Sequence, residues 1–220
     1  MGLTIELDPA RAAFIDSVTA FVGTVAAVAE YDLFGPSLCW GWSRLDVVSH
    51  VIAGWHEMLG GMVSRVERAP TVDAATYWTA FAREYGDGDP VEVLGLQRRR
   101  TAAFARPGSA VAELRDVAAA LTRGAGTMPD EPCLWQGHVF TAGDFLAVWA
   151  VEDAVHHLDL GLDRDPSPDA LGLARRTVEA LAGRPLPESW PDREAVLVGT
   201  GRLPVPEDAG DLRDRLPALG

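Results

Sequence analysis

Three side chains have the types and the spacing of a metal site: His50, Glu152 and His156. Glu152 and His156 stand four positions apart, and on a helix such residues share one face with their Cβ atoms about 5–6 Å apart. A histidine from a second helix would complete a set of three nitrogen and carboxylate ligands. Catalytic zinc is usually held by such a set with one position open, whereas structural zinc is closed by four ligands. The sequence therefore predicts a divalent metal site, with zinc as the favoured ion.

The histidine set leaves alternatives open. A Glu–His pair at this spacing is commonly a solvated ion pair, and His50 lies in an apolar stretch where a lone histidine is often a core residue. His157 directly follows His156, and Asp153 shares a helix face with His157. Spacing alone therefore permits either pair to face the site.

Other side chains are candidates for supporting roles. Asp159 stands one helical turn further along the predicted ligand face, from where it could fix the imidazole nitrogen that faces the metal. His138, just ahead of this helix, and Trp149, within it, are possible lining residues of a pocket. His56 lies six positions after His50, on a different face, and is not expected to be a ligand.

Two predicted helices must carry the ligands to one point. Ser43 and Asp46 have the spacing of a short capping box, which predicts the start of the helix that contains the first histidine. Thr141 and Asp144 repeat this spacing, and they predict the start of a helix that reaches about Gly161 and carries the Glu–His pair.

The remaining chain is predicted mainly from apolar stripes and helix breakers. Asp8 and Pro9 have the types of a helix cap and first turn, and that helix should reach about Tyr31. The other predicted segments are helices over 71–85, 90–123 with a break at 107–108, and 167–183, a loop over 124–132 and an extended stretch over 133–140. Because strand alternation is nowhere sustained, we expect an all-α four-helix bundle over residues 1–165, with 166–220 as a short extension packed on it.

Composition narrows the classes of partner. The net charge is −13, and all 19 basic residues are arginine. Nucleic acids and anionic membranes need a basic face, so neither is expected as a partner. Cys39 and Cys133 make neither a disulfide framework nor a cysteine-rich zinc site. Without a visible signal peptide or an apolar run near the ~20 residues that span a bilayer, we expect a cytoplasmic protein, as a monomer or a dimer.

Two segments resemble the signatures of a known family. The segment CWGWSRLDVVSH, from Cys39 to His50, is similar to a signature of the mycothiol-dependent maleylpyruvate isomerase N-terminal domain, which belongs to the DinB/YfiT-like superfamily. The segment FLAVWAVEDAVHHLD, from 145 to 159, resembles the second signature, an apolar helix with Glu-x-x-x-His-x-x-Asp. The resemblance spans about residues 10–162, and it implies a DinB-like bundle with metal ligands at His50, Glu152 and His156. The later segment GTGRLP, from Gly199 to Pro204, and the final LPALG also resemble relatives with short C-terminal regions.

This resemblance implies a thiol-dependent enzyme. A low-molecular-weight thiol such as mycothiol would be activated as the thiolate, the nucleophilic form, and would attack a small electrophile. We expect S-transfer or thiol-assisted isomerisation, and S-transfer is favoured because the region after residue 165 is shorter than the isomerase's C-terminal domain. The alternatives are a hydrolase or lyase that uses metal-bound water, and a non-catalytic metal-binding bundle.

Overall fold

The computed structural model describes residues 2–86 and 88–219, and helices dominate it. The helices are α1 (Leu7–Ala26), α2 (Arg44–Val63), α3 (Thr76–Tyr85), α4 (Pro90–Thr101), α5 (Pro107–Thr127), α6 (Ala142–Asp159), α7 (Pro168–Ala182) and α8 (Asp192–Gly199). Two 3₁₀ turns cover Glu30–Phe34 and Gly210–Asp214. The hairpin of β1 (Cys133–Trp135) and β2 (His138–Phe140) occupies the stretch predicted to be extended. The prediction of an all-α bundle is confirmed.

Four helices close the bundle around a common core. Helix α1 packs against α5 and α6, and α2 packs against the same two helices from the other side. The later helices continue this packing, with α7 on α6 and α1 and α8 on α7 and α6. Every residue of α6 except Glu152 is buried. A helix that is buried all round belongs in a protein interior, so the ionisable residues of α6 must find partners there. The division of the chain at residue 165 stays a prediction.

The caps of α2 and α6 confirm the predicted helix starts. The Asp46 backbone N–H donates to Ser43 Oγ over 3.1 Å, and the Ser43 N–H donates to Asp46 Oδ2 over 2.8 Å. At α6, the Asp144 N–H donates to Thr141 Oγ1 over 3.0 Å. Because caps satisfy the otherwise free N–H groups of a first turn, they set where each helix with predicted ligands begins.

The predicted end of the first helix is wrong. Helix α1 ends at Ala26 rather than near Tyr31, and the chain then turns so that Leu33 of the first 3₁₀ turn enters the core. The predicted cap also shifts, because Glu6 occupies the N-cap position and Asp8 lies in the first turn, paired with Arg11.

The predicted loop after α5 begins too early. Helix α5 continues to Thr127, beyond the predicted end at residue 123. Arg11 of α1 donates to the carbonyl of Ala125 over 2.9 Å and to that of Met128 over 2.7 Å. A cation that satisfies the free carbonyls of a helix end stabilises that end. This cap comes from another helix, so local sequence does not reveal it.

Two helical glycines give a matched test of the packing between α1 and α6. A Cβ at Gly143 of α6 would meet the backbone of Ile5 and Glu6, whereas a Cβ at Gly172 of α7 would meet nothing within 4 Å. We expect Gly143→Ala to lower the free energy of unfolding by about 1–3 kcal/mol, as overpacking does. Gly172→Ala should raise it by roughly 0.5–1 kcal/mol, because alanine favours a helix. Urea unfolding of both variants tests this, and equal effects would contradict the described packing.

No helix in residues 2–86 and 88–219 combines the length and the apolar character that crossing a membrane requires.

Candidate metal centre

Helices α2 and α6 bring the three predicted ligands together. His50 Nε2 lies 3.7 Å from Glu152 Oε1, and His156 Nε2 lies 3.1 Å from the same oxygen. The two imidazole rings meet edge to face with their centroids 4.7 Å apart. One donor atom from each residue lies within 4.8 Å of the other two. The tertiary structure thus places at one point three side chains that the sequence separates by about a hundred positions.

The spacing of these donors fits a divalent ion. Zinc takes histidine nitrogens and carboxylate oxygens at about 2.0–2.2 Å, so two donors at a tetrahedral angle are roughly 3.3 Å apart. The two measured separations from Glu152 Oε1, 3.1 and 3.7 Å, lie on either side of that value. Two imidazoles and one carboxylate also match the donor set of catalytic zinc. His50, Glu152 and His156 could therefore hold the ion; their role as ligands stays a prediction.

The site is open to small molecules. The side chains of Glu152 and His50 are 30% and 32% exposed, and that of His156 is 10% exposed. Glu152 is the single residue of α6 that is not buried. A position on the outer side of an ion at this point would therefore be reachable, as a catalytic rather than a structural site requires.

The neighbouring pair on α6 faces the protein interior instead. Asp153 Oδ1 accepts a hydrogen bond from Trp55 Nε1 over 2.8 Å, and its Oδ2 accepts one from Ser17 Oγ over 2.9 Å. His157 Nε2 lies 3.0 Å from Thr24 Oγ1. These contacts engage Asp153 and His157 with α1 and α2, so the structure separates two pairs that spacing alone left equivalent.

Asp159 contacts the imidazole of His156, as the spacing on α6 predicted, and its supporting role stays a prediction. His156 Nδ1 lies 3.0 Å from Asp159 Oδ2, which leaves His156 Nε2 facing Glu152. Asp159 is fully buried, and it accepts two hydrogen bonds from Arg202, from Nε over 2.9 Å and from Nη2 over 3.0 Å. Sequence reasoning singled out the segment with Arg202 but did not connect it to the site, because no local pattern shows which helix it contacts.

The three candidate ligands carry different charges in the ion-free protein. Burial lowers the pKa of His50 and outweighs the opposing effect of Glu152. Burial alone would also lower the pKa of His156, but Glu152 and Asp159 raise it well above its usual range. Burial alone would raise the pKa of Glu152, but the two histidines hold it well below its usual range. Near neutral pH, Glu152 is thus an anion, His156 a cation and His50 neutral.

Two cavities meet at the candidate ligands. The first, of about 680 Å³, is rich in aromatic side chains, and Trp149 is among its lining residues. The second, of about 770 Å³, is lined partly by Cys39, Arg83 and Arg202. His50, Trp78, Phe81 and Glu152 line both cavities. Molecules in both cavities could therefore approach the same point.

His138 and the cysteines lie at different distances from this site. In the described part of the chain, His138 lines neither cavity; its ring packs edge-on against Tyr77, and its Nε2 lies 3.4 Å from Glu84 Oε1. The Cys39 Sγ atom lies within 4.8 Å of donor atoms of His156 and Asp159, and Cys39 lines the second cavity. Cys133 is buried in the hairpin, and burial raises the pKa of its thiol to about 12. Only Cys39 of the two cysteines therefore lines a cavity at the site.

Comparisons with known proteins agree with this architecture. The family model of the mycothiol maleylpyruvate isomerase N-terminal domain matches residues 14–161. Two solved structures are similar, one of a mycothiol-dependent maleylpyruvate isomerase and one of a histidine-to-alanine mutant of such an isomerase. Each is 13% identical over 81% of this chain and 72% of the other, with TM-scores of 0.55 and 0.56, respectively. At that identity the likeness concerns the fold alone. No curated protein compared with the sequence matches it.

Proposed function

The chain belongs to the mycothiol maleylpyruvate isomerase N-terminal domain family, and from this premise we propose that it is a metal-dependent enzyme. It would use a low-molecular-weight thiol, mycothiol or a similar compound, to isomerise a small electrophile. The observation that carries the proposal is the convergence of His50, Glu152 and His156 at the junction of two cavities. Such an arrangement suits a reaction between two small molecules, because each can reach the reacting point from its own side.

A thiol needs help to react at neutral pH. Free thiols have a pKa of about 8.5, so only a small fraction is present as thiolate, the nucleophilic form. A divalent ion held by His50, Glu152 and His156 would supply the positive charge that favours thiolate. The protein's part is to present these donors in a fixed geometry. Asp159 holds the His156 ring, and the burial of α6 restricts the movement of the helix that carries both.

Reversible addition accounts for isomerisation without a further reactant. The thiolate forms a C–S bond to the β-carbon of a cis α,β-unsaturated carbonyl compound, and the π electron pair moves to the carbonyl oxygen. The former double bond can then rotate. Return of the electron pair breaks the C–S bond, releases the thiolate and leaves the trans product. If the electrophile instead carries a leaving group, the C–S bond forms as the bond from carbon to the leaving group breaks, and the outcome is S-transfer.

The two cavities suggest how the reactants divide the site. The first offers flat apolar walls, from Trp135 and Trp149 among others, and the second is lined by Arg83 and by Arg202, which is paired with Asp159. Between them, the two spaces provide apolar contacts and positive charge close to the candidate ligands. Such surroundings suit a small, polar electrophile beside a larger thiol.

Product analysis tests the proposed function. Zinc-loaded protein is mixed with mycothiol and a cis-configured unsaturated keto acid such as maleylpyruvate, and the products are followed by NMR. We expect the trans isomer to form only when both metal and thiol are present, with the thiol recovered unchanged. Stoichiometric loss of the thiol into a new C–S bond would support S-transfer instead. Turnover without thiol would replace the proposal with metal-bound water chemistry, and metal binding without any turnover would indicate a non-catalytic bundle.

Metal binding is expected to release about one proton per ion near pH 7, because a ligating histidine must be neutral. The raised pKa of His156 keeps this proton in the ion-free folded protein. The stabilisation by that proton is present below the ordinary histidine pKa of 6.5 and is lost as pH rises through the raised value. Because this proton competes with the metal for His156, metal affinity should increase as pH rises towards the raised pKa of His156. Calorimetric titration in buffers of different ionisation enthalpy measures the proton release, and pH-independent affinity would contradict the assignment of His156.

A further inference from the structure

We propose that Arg202 is a positioning residue of the metal centre, acting through Asp159 on His156. This inference rests on the proposed metal site. Arg202 donates to both carboxylate oxygens of Asp159, from Nε over 2.9 Å and from Nη2 over 3.0 Å. The Asp159 oxygen that accepts from Nη2 also lies 3.0 Å from His156 Nδ1. An unbroken chain of hydrogen bonds thus joins the segment after α8 to a candidate ligand on α6.

The two hydrogen bonds from Arg202 fix the orientation of the Asp159 carboxylate. A guanidinium group that donates two hydrogen bonds to one carboxylate fixes the plane of that carboxylate as well as its position. Asp159 is fully buried, and water cannot readily replace a lost partner there. Without Arg202, the described contacts would leave Asp159 with a single side-chain partner, the ring of His156. Asp159 could then rotate, and the imidazole that it holds would lose its fixed orientation.

The segment around Arg202 is built to present this side chain. After α8 the chain reverses at Gly201, whose φ of 74° lies in the left-handed region that favours glycine.

 The Arg202 N–H donates to the carbonyl of Leu197 over 2.8 Å, and Arg202 Nη1 donates to the carbonyl of Thr200 over 2.8 Å. The reversal therefore directs the guanidinium group back towards α6. One hydrogen bond holds the backbone of Arg202, and another holds its guanidinium group. This gives the segment from Gly199 to Arg202 a physical role that the sequence alone did not reveal.

A second, largely buried arginine in the C-terminal region provides a matched control. Arg175 of α7 donates to Asp192 over 2.9 Å and to Glu179 over 3.2 Å, and it also donates to backbone carbonyls after α7. None of these partners belongs to the candidate metal centre. Loss of Arg175 should therefore disturb the packing of the C-terminal region without changing the orientation of His156.

Metal affinity and ligand-field spectra of variants test the proposal. The zinc dissociation constants of Arg202→Leu, Arg202→Lys and Arg175→Leu are measured by competition with a chromophoric chelator, and visible spectra are recorded after cobalt loading. We expect Arg202→Leu to weaken zinc binding by up to roughly 10–100-fold, the range for loss of a ligand's direct outer partner such as Asp159, and to alter the cobalt spectrum. Arg202→Lys should lie between this variant and the wild type. Arg175→Leu should lose thermal stability but keep the wild-type affinity and spectrum.

A double variant separates action through Asp159 from a general structural effect. If Arg202 acts through Asp159, Arg202→Leu should weaken zinc binding much less in an Asp159→Asn background than in the wild type. Wild-type affinity and an unchanged spectrum in folded Arg202→Leu would overturn the inference, and so would equal weakening in Arg175→Leu. If Arg202→Leu does not fold, Arg202→Lys is judged by the same criteria. Absence of metal binding in the wild type would instead count against the proposed function itself.

Discussion

His156→Ala and Glu152→Ala are each expected to lower zinc affinity by more than the roughly 10–100-fold typical for losing an outer partner of a ligand. Both residues supply donor atoms at the same point, and Glu152 lies within 4 Å of both imidazoles. Removing Glu152 also leaves His50 and His156 without the negative charge between them. Metal content after dialysis and chelator competition measure the loss. His50→Ala should behave in the same way.

Two histidine variants serve as controls for this prediction. His157→Ala removes a buried ring that contacts Thr24, so it should lower stability while leaving zinc affinity unchanged. His56→Ala removes a half-exposed ring on another face of α2 and should change neither property. Equal metal loss in His156→Ala and His157→Ala would show that the ligand assignment is wrong.

Trp55→Ala is expected to lower the free energy of unfolding by about 3–5 kcal/mol, the range for deleting a buried large aromatic side chain. Trp55 is fully buried in α2 and packs edge to face on Phe21. Its indole Nε1 also donates to Asp153. The variant would therefore create a cavity and leave that carboxyl group with Ser17 as its remaining described donor. Urea unfolding measures the change.

The destabilisation by Trp55→Ala should also grow with pH. Burial raises the pKa of Asp153 from 3.8 to about 7, although the hydrogen bonds from Trp55 and Ser17 lower this pKa. A raised pKa favours folding below pH 3.8, and this contribution is lost as pH rises towards 7. Loss of the indole donor should raise the pKa further and increase the cost of ionisation. A larger penalty at pH 8 than at pH 5 is expected, and a constant penalty would contradict this account.

Trp40→Ala provides the matched control for the tryptophan variant. Trp40 is 77% exposed and lies in the loop before α2, so its removal creates no cavity in the core. Surface substitutions of this kind usually change stability by less than about 0.5 kcal/mol. A loss as large as that of Trp55→Ala would show that the loop packs differently.

Local chemistry made much of the fold predictable. Ser43 and Thr141 begin the two helices with candidate ligands because short side chains with oxygen acceptors cap the first turn within three residues. Pro107 opens α5 and Gly183 closes α7 for equally local reasons, the fixed φ of proline and the left-handed backbone of glycine. The end of α5 was mispredicted because Arg11, more than a hundred positions away, supplies its cap.

The sequence by itself determined that Glu152 and His156 share a helix face with Asp159, because helical periodicity depends only on spacing. Only the tertiary structure decided that this face meets His50, while Asp153 and His157 turn towards α1 and α2. The hydrogen bonds from Arg202 to Asp159 were likewise decided only by the tertiary structure. These contacts join residues far apart in the chain, and they arise from how whole helices pack. Local spacing carries no information about that packing.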